Sequence, residues 1–188
     1  MDLRRGFKAE AKRLAIDVRR ELGLSIHAPL DPYELAELYG VEVHTLAEPH
    51  LPREAVAYFT AAGLERFSAA LMPLGAGCFI IENHMHDLLR RRSTMAHEMA
   101  HVLLEHEFQL LLATDNGCRA SSSAVEAEAA ELSGELLIPW EAAKRAALRG
   151  LSDQQVATCF NVSEPMARWR MNASGARKIA TRAGKRFN

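Results

Sequence analysis

The sequence lacks the features that would place it in a membrane or on a polyanion. Its 188 residues contain no apolar run of the roughly 18 residues that a transmembrane helix needs. The N-terminal stretch MDLRRGFKAEAKRLAIDVRREL is interrupted by charges every few residues, so it has no hydrophobic core of a secretory signal peptide. The formal net charge is only −1, which gives no overall attraction to nucleic acid or anionic lipid. We therefore expect a cytoplasmic protein without membrane association.

Cysteine is scarce, and its number is odd. The three cysteines are widely separated in the sequence, at Cys78, Cys118 and Cys159. This pattern does not suggest a disulfide framework, and it favours reduced thiols in a cytosolic protein. With 48% hydrophobic and 25% charged residues, the chain can build a real core. Its length suits one domain, or one domain with a small appendage.

The spacing of apolar residues predicts an α+β protein in which helices surround a small sheet. Apolar residues recur at helical spacing over residues 3–22, and Asp31 followed by Pro32 is typical of a second helix start. Four stretches have the pattern of strands, namely 41–46, 55–60, 66–73 and 77–83. From Ser93 onward the pattern is helical.

The segment RRRSTMAHEMAHVLLEH, residues 90–106, contains His97, Glu98 and His101 in an HExxH pattern. At about 100° per residue the two histidines lie one turn apart on the same helix face, so both imidazoles can reach one metal ion. Glu98 lies at the edge of that face, where its carboxylate reaches a water on the ion. Zinc lowers the pKa of such a water to near 7, and a carboxylate can deliver the proton to a leaving amine. The pattern therefore points to zinc-dependent hydrolysis.

An amphipathic helix with two histidines in other roles would show the same pattern, so a third protein ligand decides between the two interpretations. His106 is one candidate. The HExxHxxGxxH pattern, however, requires a glycine where Leu104 stands and a histidine where Glu107 stands. If the helix continues, His106 also points well away from His101. His106 is therefore not the favoured ligand.

The other candidates are glutamates on the helix predicted for SSSAVEAEAAELSGELLIP. Ser123 and Glu126 have the spacing of a capping box, which would engage Glu126 at the helix start. Glu128 lies next to the apolar stripe near the N-terminal end of this helix and is the predicted third ligand. A solvated acidic face explains the remaining two better, Glu131 and Glu135.

The two segments together resemble the ImmA/IrrE family of metallopeptidases, whose members show patterns like RxxxAHExxHxLL and ExEAxxFAAxLLxP. In the first segment the matching residues are Arg92, Ala96, His97, Glu98, His101, Leu103 and Leu104. In the second they are Glu126, Glu128, Ala129, Glu135, Leu136, Leu137 and Pro139. The stretch PLDPYELAELYGVEVHTL is also similar, so the resemblance covers about residues 10–140.

The resemblance implies a gluzincin-like endopeptidase with Zn²⁺ bound by His97, His101 and Glu128, and with Glu98 as general base. It implies a small zincin-like core with the metal between two helices and a substrate-facing edge strand, which we expect at residues 77–83. The implied substrate is a DNA-binding repressor of helix-turn-helix type. Its cleavage would release transcription in a stress response or in mobile-element induction.

The chain departs from the family pattern within the second segment. Ala130 stands where asparagine is usual and Leu132 where phenylalanine is usual, and Ser133-Gly134 replaces an alanine pair. None of these changes removes a predicted ligand. Gly134 is expected to weaken its helix by up to about 1 kcal/mol relative to alanine.

Peptide hydrolysis also needs a donor for the oxyanion of the tetrahedral intermediate. Tyr58 and His84 are candidates, with His86 as another. Each is more often an ordinary surface or strand residue, so the sequence does not identify the donor.

Residues 146–188 are predicted to form a helical, helix-turn-helix-like region that follows a metallopeptidase domain of residues 1–145. Within it, LSDQQVATCFNVSEPMARWRM is typical of two short helices, capped by Ser152 and Ser163, around a turn at Asn161. Four apolar side chains of this region are expected to be buried, namely Val156, Phe160, Val162 and Trp169.

The end of the chain, residues 168–188, has no acidic residue and seven basic ones: Arg168, Arg170, Arg177, Lys178, Arg182, Lys185 and Arg186. Such a segment can bind nucleic-acid phosphates or dock a partner protein. A hairpin packed on the core with a solvated basic tail is the alternative that the near-neutral net charge favours.

Other functions remain open beside the peptidase. One is a DNA- or partner-binding regulator with a structural or vestigial metal site, and another is a toxin-like hydrolase. A structural zinc site would be closed by four protein ligands, so three good ligands and an intact Glu98 favour the enzyme.

Overall fold

A computed structural model of the chain describes residues 3–61, 64–106 and 123–184. The described chain begins with two helices, α1 (Phe7–Glu21) and α2 (Pro32–Leu38). The side chain of Asp31 accepts a hydrogen bond from the Tyr33 N–H at 2.9 Å and so caps α2. Both helices confirm the predictions from apolar spacing and from the Asp-Pro start.

A three-stranded mixed sheet follows, with strands β1 (Glu42–Thr45), β2 (Ala69–Leu74) and β3 (Gly77–Glu82). Their order is β1-β3-β2, with β3 parallel to β1 and antiparallel to β2. In this register Ile80 lies opposite both Val43 and Leu71. The prediction that residues 77–83 form an edge strand was wrong. β3 pairs with β2 on one side and with β1 on the other, so it is the central strand.

Residues 55–60, predicted as a strand, belong to helix α3 (Arg53–Thr60). The stretch AVAYFT is almost uniformly apolar, and so short a run does not by itself distinguish a strand from a helix. Within this helix, which is described throughout, no residue is fully buried, and Tyr58 is 42% exposed. α3 therefore lies on the surface beside the sheet, and a short 3₁₀ turn (Leu64–Arg66) leads from it to β2.

The rest of the described chain is helical. Its helices are α4 (Leu88–Leu103), α5 (Ser123–Leu137), α6 (Trp140–Leu148), α7 (Asp153–Phe160), α8 (Glu164–Ala173) and α9 (Ala176–Arg182). Ser152 and Ser163 cap α7 and α8, and Asn161 takes a left-handed conformation between them, as the sequence predicts. None of the helices that the structure describes is long and apolar enough to span a membrane. Predictions for Cys118, Lys185 and Arg186 lie outside the described residues.

Two apolar clusters form the core, and α4 and α5 contribute to both. The first joins α1, α2 and the sheet to these helices, with Phe7 and Ile80 fully buried. The second joins α6 to α9 onto Ala96 of α4 and Leu137 of α5. The predicted domain division after residue 145 falls inside α6 and stays a prediction.

The C-terminal helices cover acidic residues that the sequence suggested were solvated. Glu131 and Glu135 are 7% and 1% exposed, so that expectation was wrong. Arg170 of α8 pairs with both carboxylates, at 3.0 Å and 2.5 Å respectively. Val156, Phe160 and Val162 are buried as expected, but the neighbouring Trp169 is 41% exposed because α8 turns Arg170 toward α5 instead.

Candidate metal centre

Arg92 fixes the orientation of helix α4 about its own axis. This residue of the family pattern is 4% exposed. Its guanidinium donates to the carbonyl of Leu30 at 2.6 Å and to that of Asn161 at 3.0 Å, and it pairs with Asp31 at 2.9 Å. These bonds connect α4 to the start of α2 and to the turn between α7 and α8. The orientation of the HExxH face is thus set by contacts with segments that precede and follow α4 in the sequence.

Two imidazoles and one carboxylate converge between α4 and α5. The Nε2 atoms of His97 and His101 are 3.2 Å apart. The carboxylate of Glu126 lies 3.1 Å from Nε2 of His97 and 3.8 Å from Nε2 of His101. In the described part of the chain, these three residues form a group whose ligand atoms all lie within 4.8 Å of one another.

The group fits a zinc ion. Tetrahedral zinc with bonds of about 2.0–2.1 Å to nitrogen and oxygen holds its ligand atoms about 3.3 Å apart. The separations between His97, His101 and Glu126 are close to that value. The side chains of His97 and Glu126 are 26% and 30% exposed, so the group is open to solvent on one side. Two imidazoles and a carboxylate with an accessible fourth position are typical of catalytic zinc.

Glu128, the third ligand expected from the sequence, lies on the other flank of α5. Its Oε1 accepts a hydrogen bond from Nε of Arg4 at 2.9 Å, and its Oε2 is 3.6 Å from Nε2 of His106. Glu126 and Glu128 are two positions apart, which places them about 200° apart around the helix axis. The flank with Glu126 faces α4, and the flank with Glu128 faces the beginning of the chain.

The sequence contained a partial signal for Glu126. It occupies the first glutamate of the ExEA pattern, but the spacing from Ser123 suggested that it closes a capping box. In the structure Ser123 is the first residue of α5, and the carboxylate of Glu126 points to the two imidazoles. The apolar stripe of α5 is compatible with either flank facing α4, so the stripe alone does not identify the ligand.

Glu98 follows His97 on α4 and is 3% exposed. Its carboxylate is therefore shielded from bulk water. The role of proton acceptor, which the HExxH spacing predicts for it, stays a prediction.

The candidate oxyanion donors lie in other contacts. The hydroxyl of Tyr58 accepts a hydrogen bond from Nη1 of Arg66 at 2.6 Å. His84 lines a surface cavity of about 400 Å³ between α3 and the loop that follows β1. His86 is buried, with Nε2 3.2 Å from the carbonyl oxygen of Phe67. Since these contacts do not involve the metal group, a role for any of the three stays a prediction.

One protein-family model matches the part of the chain that carries this group. The model of the peptidase family M78, described as the IrrE N-terminal-like domain, matches residues 59–172, which is more than half of the chain. The matched span includes the three candidate ligands and Glu98. No curated protein matches the chain. The chain therefore belongs to the M78 peptidase family with the IrrE N-terminal-like domain, which is a family of metallopeptidases. The α+β fold and the His/His/Glu group between two helices are consistent with that class.

Proposed function

We propose that the protein is a zinc-dependent endopeptidase of the HExxH, gluzincin-like type that acts on a DNA-binding repressor in the cytoplasm. The observation that carries the enzymatic part is the convergence of His97, His101 and Glu126 at separations that suit one zinc ion. The repressor, of helix-turn-helix type, is proposed from the resemblance to the ImmA/IrrE family. Its cleavage would relieve repression in a stress response or in mobile-element induction.

Each side chain of the site has a separate task in this proposal. His97 and His101 would hold the ion through Nε2, and Glu126 would hold it through its carboxylate. The ion, when bound, would supply Lewis-acid chemistry, which polarises a scissile carbonyl and lowers the pKa of a water to near 7. Glu98 would accept the proton of the attacking water on its carboxylate and transfer it to the nitrogen of the leaving amine.

The substrate backbone is proposed to align along β2. This strand pairs with β3 on one side, contacts α4 and lies at an edge of the sheet. An extended peptide can add to such an edge through main-chain hydrogen bonds. Pro73 has no N–H to donate, so the usable edge is the part of β2 before it, residues 69–72.

The basic C-terminal segment favours a structural role over DNA binding. Arg170 is fully buried against two glutamates of α5, and Arg168 and Arg177 both pair with Asp153. The charge of Arg170 is neutralised inside the protein and does not reach phosphates, and the more exposed Arg168 shares its carboxylate with Arg177. These three arginines therefore support a packed helical appendage on a peptidase.

The third ligand is tested by a matched pair of variants on α5, Glu126→Ala and Glu128→Ala. At saturating zinc we expect one ion per chain in the wild type and in Glu128→Ala. We expect a large loss of bound zinc in Glu126→Ala, because among the described residues this carboxylate is the one that groups with the two imidazoles. Equilibrium dialysis at saturating zinc, followed by elemental analysis, measures the content, so that a site that is only weakened still reads as occupied. Retained zinc in Glu126→Ala together with lost zinc in Glu128→Ala would return the assignment to Glu128.

The enzymatic role is tested by Glu98→Gln. Glutamine is nearly isosteric but cannot accept the proton, so we expect unchanged zinc content and a loss of peptide cleavage of about 10²- to 10⁴-fold. The measurement is cleavage of a helix-turn-helix repressor encoded beside the gene, followed by gel electrophoresis and mass spectrometry. Cleavage by the variant at the wild-type rate would refute the role of Glu98. A zinc-loaded wild type that leaves the repressor intact would refute the proposed substrate.

A further inference from the structure

We propose that His106, hydrogen-bonded to His101, and Glu128, in close electrostatic contact with His106, form a line behind His101 that fixes the direction and tautomer of its imidazole and thereby sets the affinity of the site for metal. The inference rests on the proposed metal site and adds two positioning residues to it. In this arrangement His101 of the HExxH pattern is the ligand, and His106, which lies beyond the end of α4, orients its imidazole.

The line runs from the candidate metal position to the N-terminal segment. Nε2 of His101 faces His97, while its Nδ1 lies 3.0 Å from Nδ1 of His106. Nε2 of His106 lies 3.6 Å from Oε2 of Glu128, and Oε1 of Glu128 accepts a hydrogen bond from Arg4 at 2.9 Å. The side chains of His101, His106 and Glu128 are only 11–13% exposed, so bulk water competes little for these contacts.

The two facing Nδ1 atoms determine where the protons lie. An imidazole nitrogen that binds a metal carries no proton, so neutral His101 with Nε2 on the metal has its proton on Nδ1. That N–H donates to Nδ1 of His106, which must then be the acceptor. The proton of His106 is therefore on Nε2, directed at the carboxylate of Glu128. The opposite set of tautomers would place a proton on Nε2 of His101, where the metal should bind.

Such support is a general requirement of metal-binding histidines. They usually donate the second ring N–H to a carboxylate, a carbonyl or a water, and loss of that partner typically lowers metal affinity about 10- to 100-fold. Here a second imidazole lies between the ligand and the carboxylate. His106 thus acts through His101, and Glu128 acts through His106.

The backbone at the end of α4 brings His106 back to His101. The N–H of His106 bonds to the carbonyl of His101 at 3.1 Å, and the N–H of Glu105 bonds to that of Val102 at 3.0 Å. This is the Schellman pattern of a helix C-terminus, with Glu105 at φ 51° in the left-handed position that usually holds glycine. A non-glycine residue is unfavourable there, because its Cβ approaches the following carbonyl oxygen. Such a conformation persists where the surrounding structure compensates, and it clusters at functional sites.

The test is the zinc dissociation constant of the full-length chain, measured by competition with a chromophoric chelator. His106→Leu removes the acceptor, so we expect the Kd to rise about 10- to 100-fold. His106→Asn places an amide oxygen near the position of Nδ1 and should restore the Kd to within a few-fold of the wild type. His50→Leu changes an exposed histidine and serves as the matched control, with an unchanged Kd expected. The absorption spectrum of the Co²⁺-loaded protein should shift in His106→Leu and return in His106→Asn.

The outcomes separate this inference from the proposed function. A wild-type chain that binds no zinc would contradict the metal site itself. A wild-type chain that binds zinc, with an equal Kd for His106→Leu, would overturn the positioning role alone. Equal losses in His106→Leu and His106→Asn would also overturn it, because packing rather than hydrogen bonding would then explain the effect. If His106→Leu does not fold, Glu128→Gln decides: a raised Kd supports the line, and an unchanged Kd overturns it.

Discussion

At the scale of single residues, Gly134 permits the contact between α5 and α8. A Cβ at this position would lie 3.0 Å from Cδ of Arg170 and 3.0 Å and 3.2 Å from two ring carbons of Trp169. Arg170 is fully buried and bonded to Ile138 and to two carboxylates, so it has no room to withdraw. The glycine that weakens α5 as an isolated helix therefore allows the close approach of α8.

Gly134→Ala is accordingly expected to destabilise the protein. Its better helix propensity contributes up to about 1 kcal/mol, but overpacking of a well-filled contact typically costs about 1–3 kcal/mol. We expect a net loss of about 1 kcal/mol in the free energy of unfolding, measured by urea denaturation. The same change made in Trp169→Ala should cost less, since one of the two clashing side chains is then absent. A higher urea midpoint for Gly134→Ala in the otherwise unchanged protein would contradict this prediction, because α8 would then accommodate the added methyl group without loss of stability.

At the scale of elements, buried arginines fix the ends of the helices that carry the site. Arg19 of α1 is 1% exposed and donates to the carbonyl of Leu136 at 3.1 and 2.7 Å and to that of Leu137 at 3.2 Å. It thereby satisfies the last carbonyls of α5, which have no N–H partner within their own helix. Burial lowers the pKa of Arg19 to about 10, so the guanidinium remains charged at neutral pH. α5 is thus held at this end by α1, while its N-terminal half presents Glu126 to α4.

Two elements differ from what the local sequence pattern predicts. Residues 55–60 were predicted as a strand and form α3, because a short apolar run suits either structure and packing decides. The expectation that His106 points away from His101 assumed that α4 continues, but the helix ends at Leu103. Glu105 carries no local signal for the left-handed turn, because that position is usually glycine.

At the scale of the whole molecule, a buried ion-pair network joins the C-terminal helices to the metallopeptidase core. Arg170→Met would leave the buried Glu135 without its arginine and Glu131 with only the exposed Lys8, 3.5 Å away. Breaking a buried ion pair typically costs about 3–5 kcal/mol. That is a large share of the 5–15 kcal/mol that roughly bounds the stability of a domain. Since α5 also carries Glu126, we expect bound zinc to be lost along with the folded state in thermal denaturation.

Two further variants control this prediction. Arg168→Met removes another arginine of α8, whose side chain is 58% exposed, and should change stability by at most about 1 kcal/mol. Neutralising both glutamates together with Arg170→Met should recover much of the lost stability, because no unpaired charge is then buried. If Arg170→Met proved as stable as Arg168→Met, the network would not hold the C-terminal helices in place.

The sequence by itself determined the features that depend on neighbours along the chain. Helical spacing places His97 and His101 on one face, caps at Asp31, Ser152 and Ser163 start helices, and the order of patterns establishes an α+β class. Each of these follows from periodicity or from a hydrogen bond that spans a few residues.

Only the tertiary structure decided which residues meet across elements. Glu126 rather than Glu128 faces the two imidazoles because α4 packs on one flank of α5 and the beginning of the chain on the other. β3 is central because β1, far away in sequence, pairs with it. Glu131 and Glu135 are buried because α8 brings Arg170 to them. The physical reason is the same in each case: a helix flank or a strand edge has the same local pattern whether solvent or another element covers it.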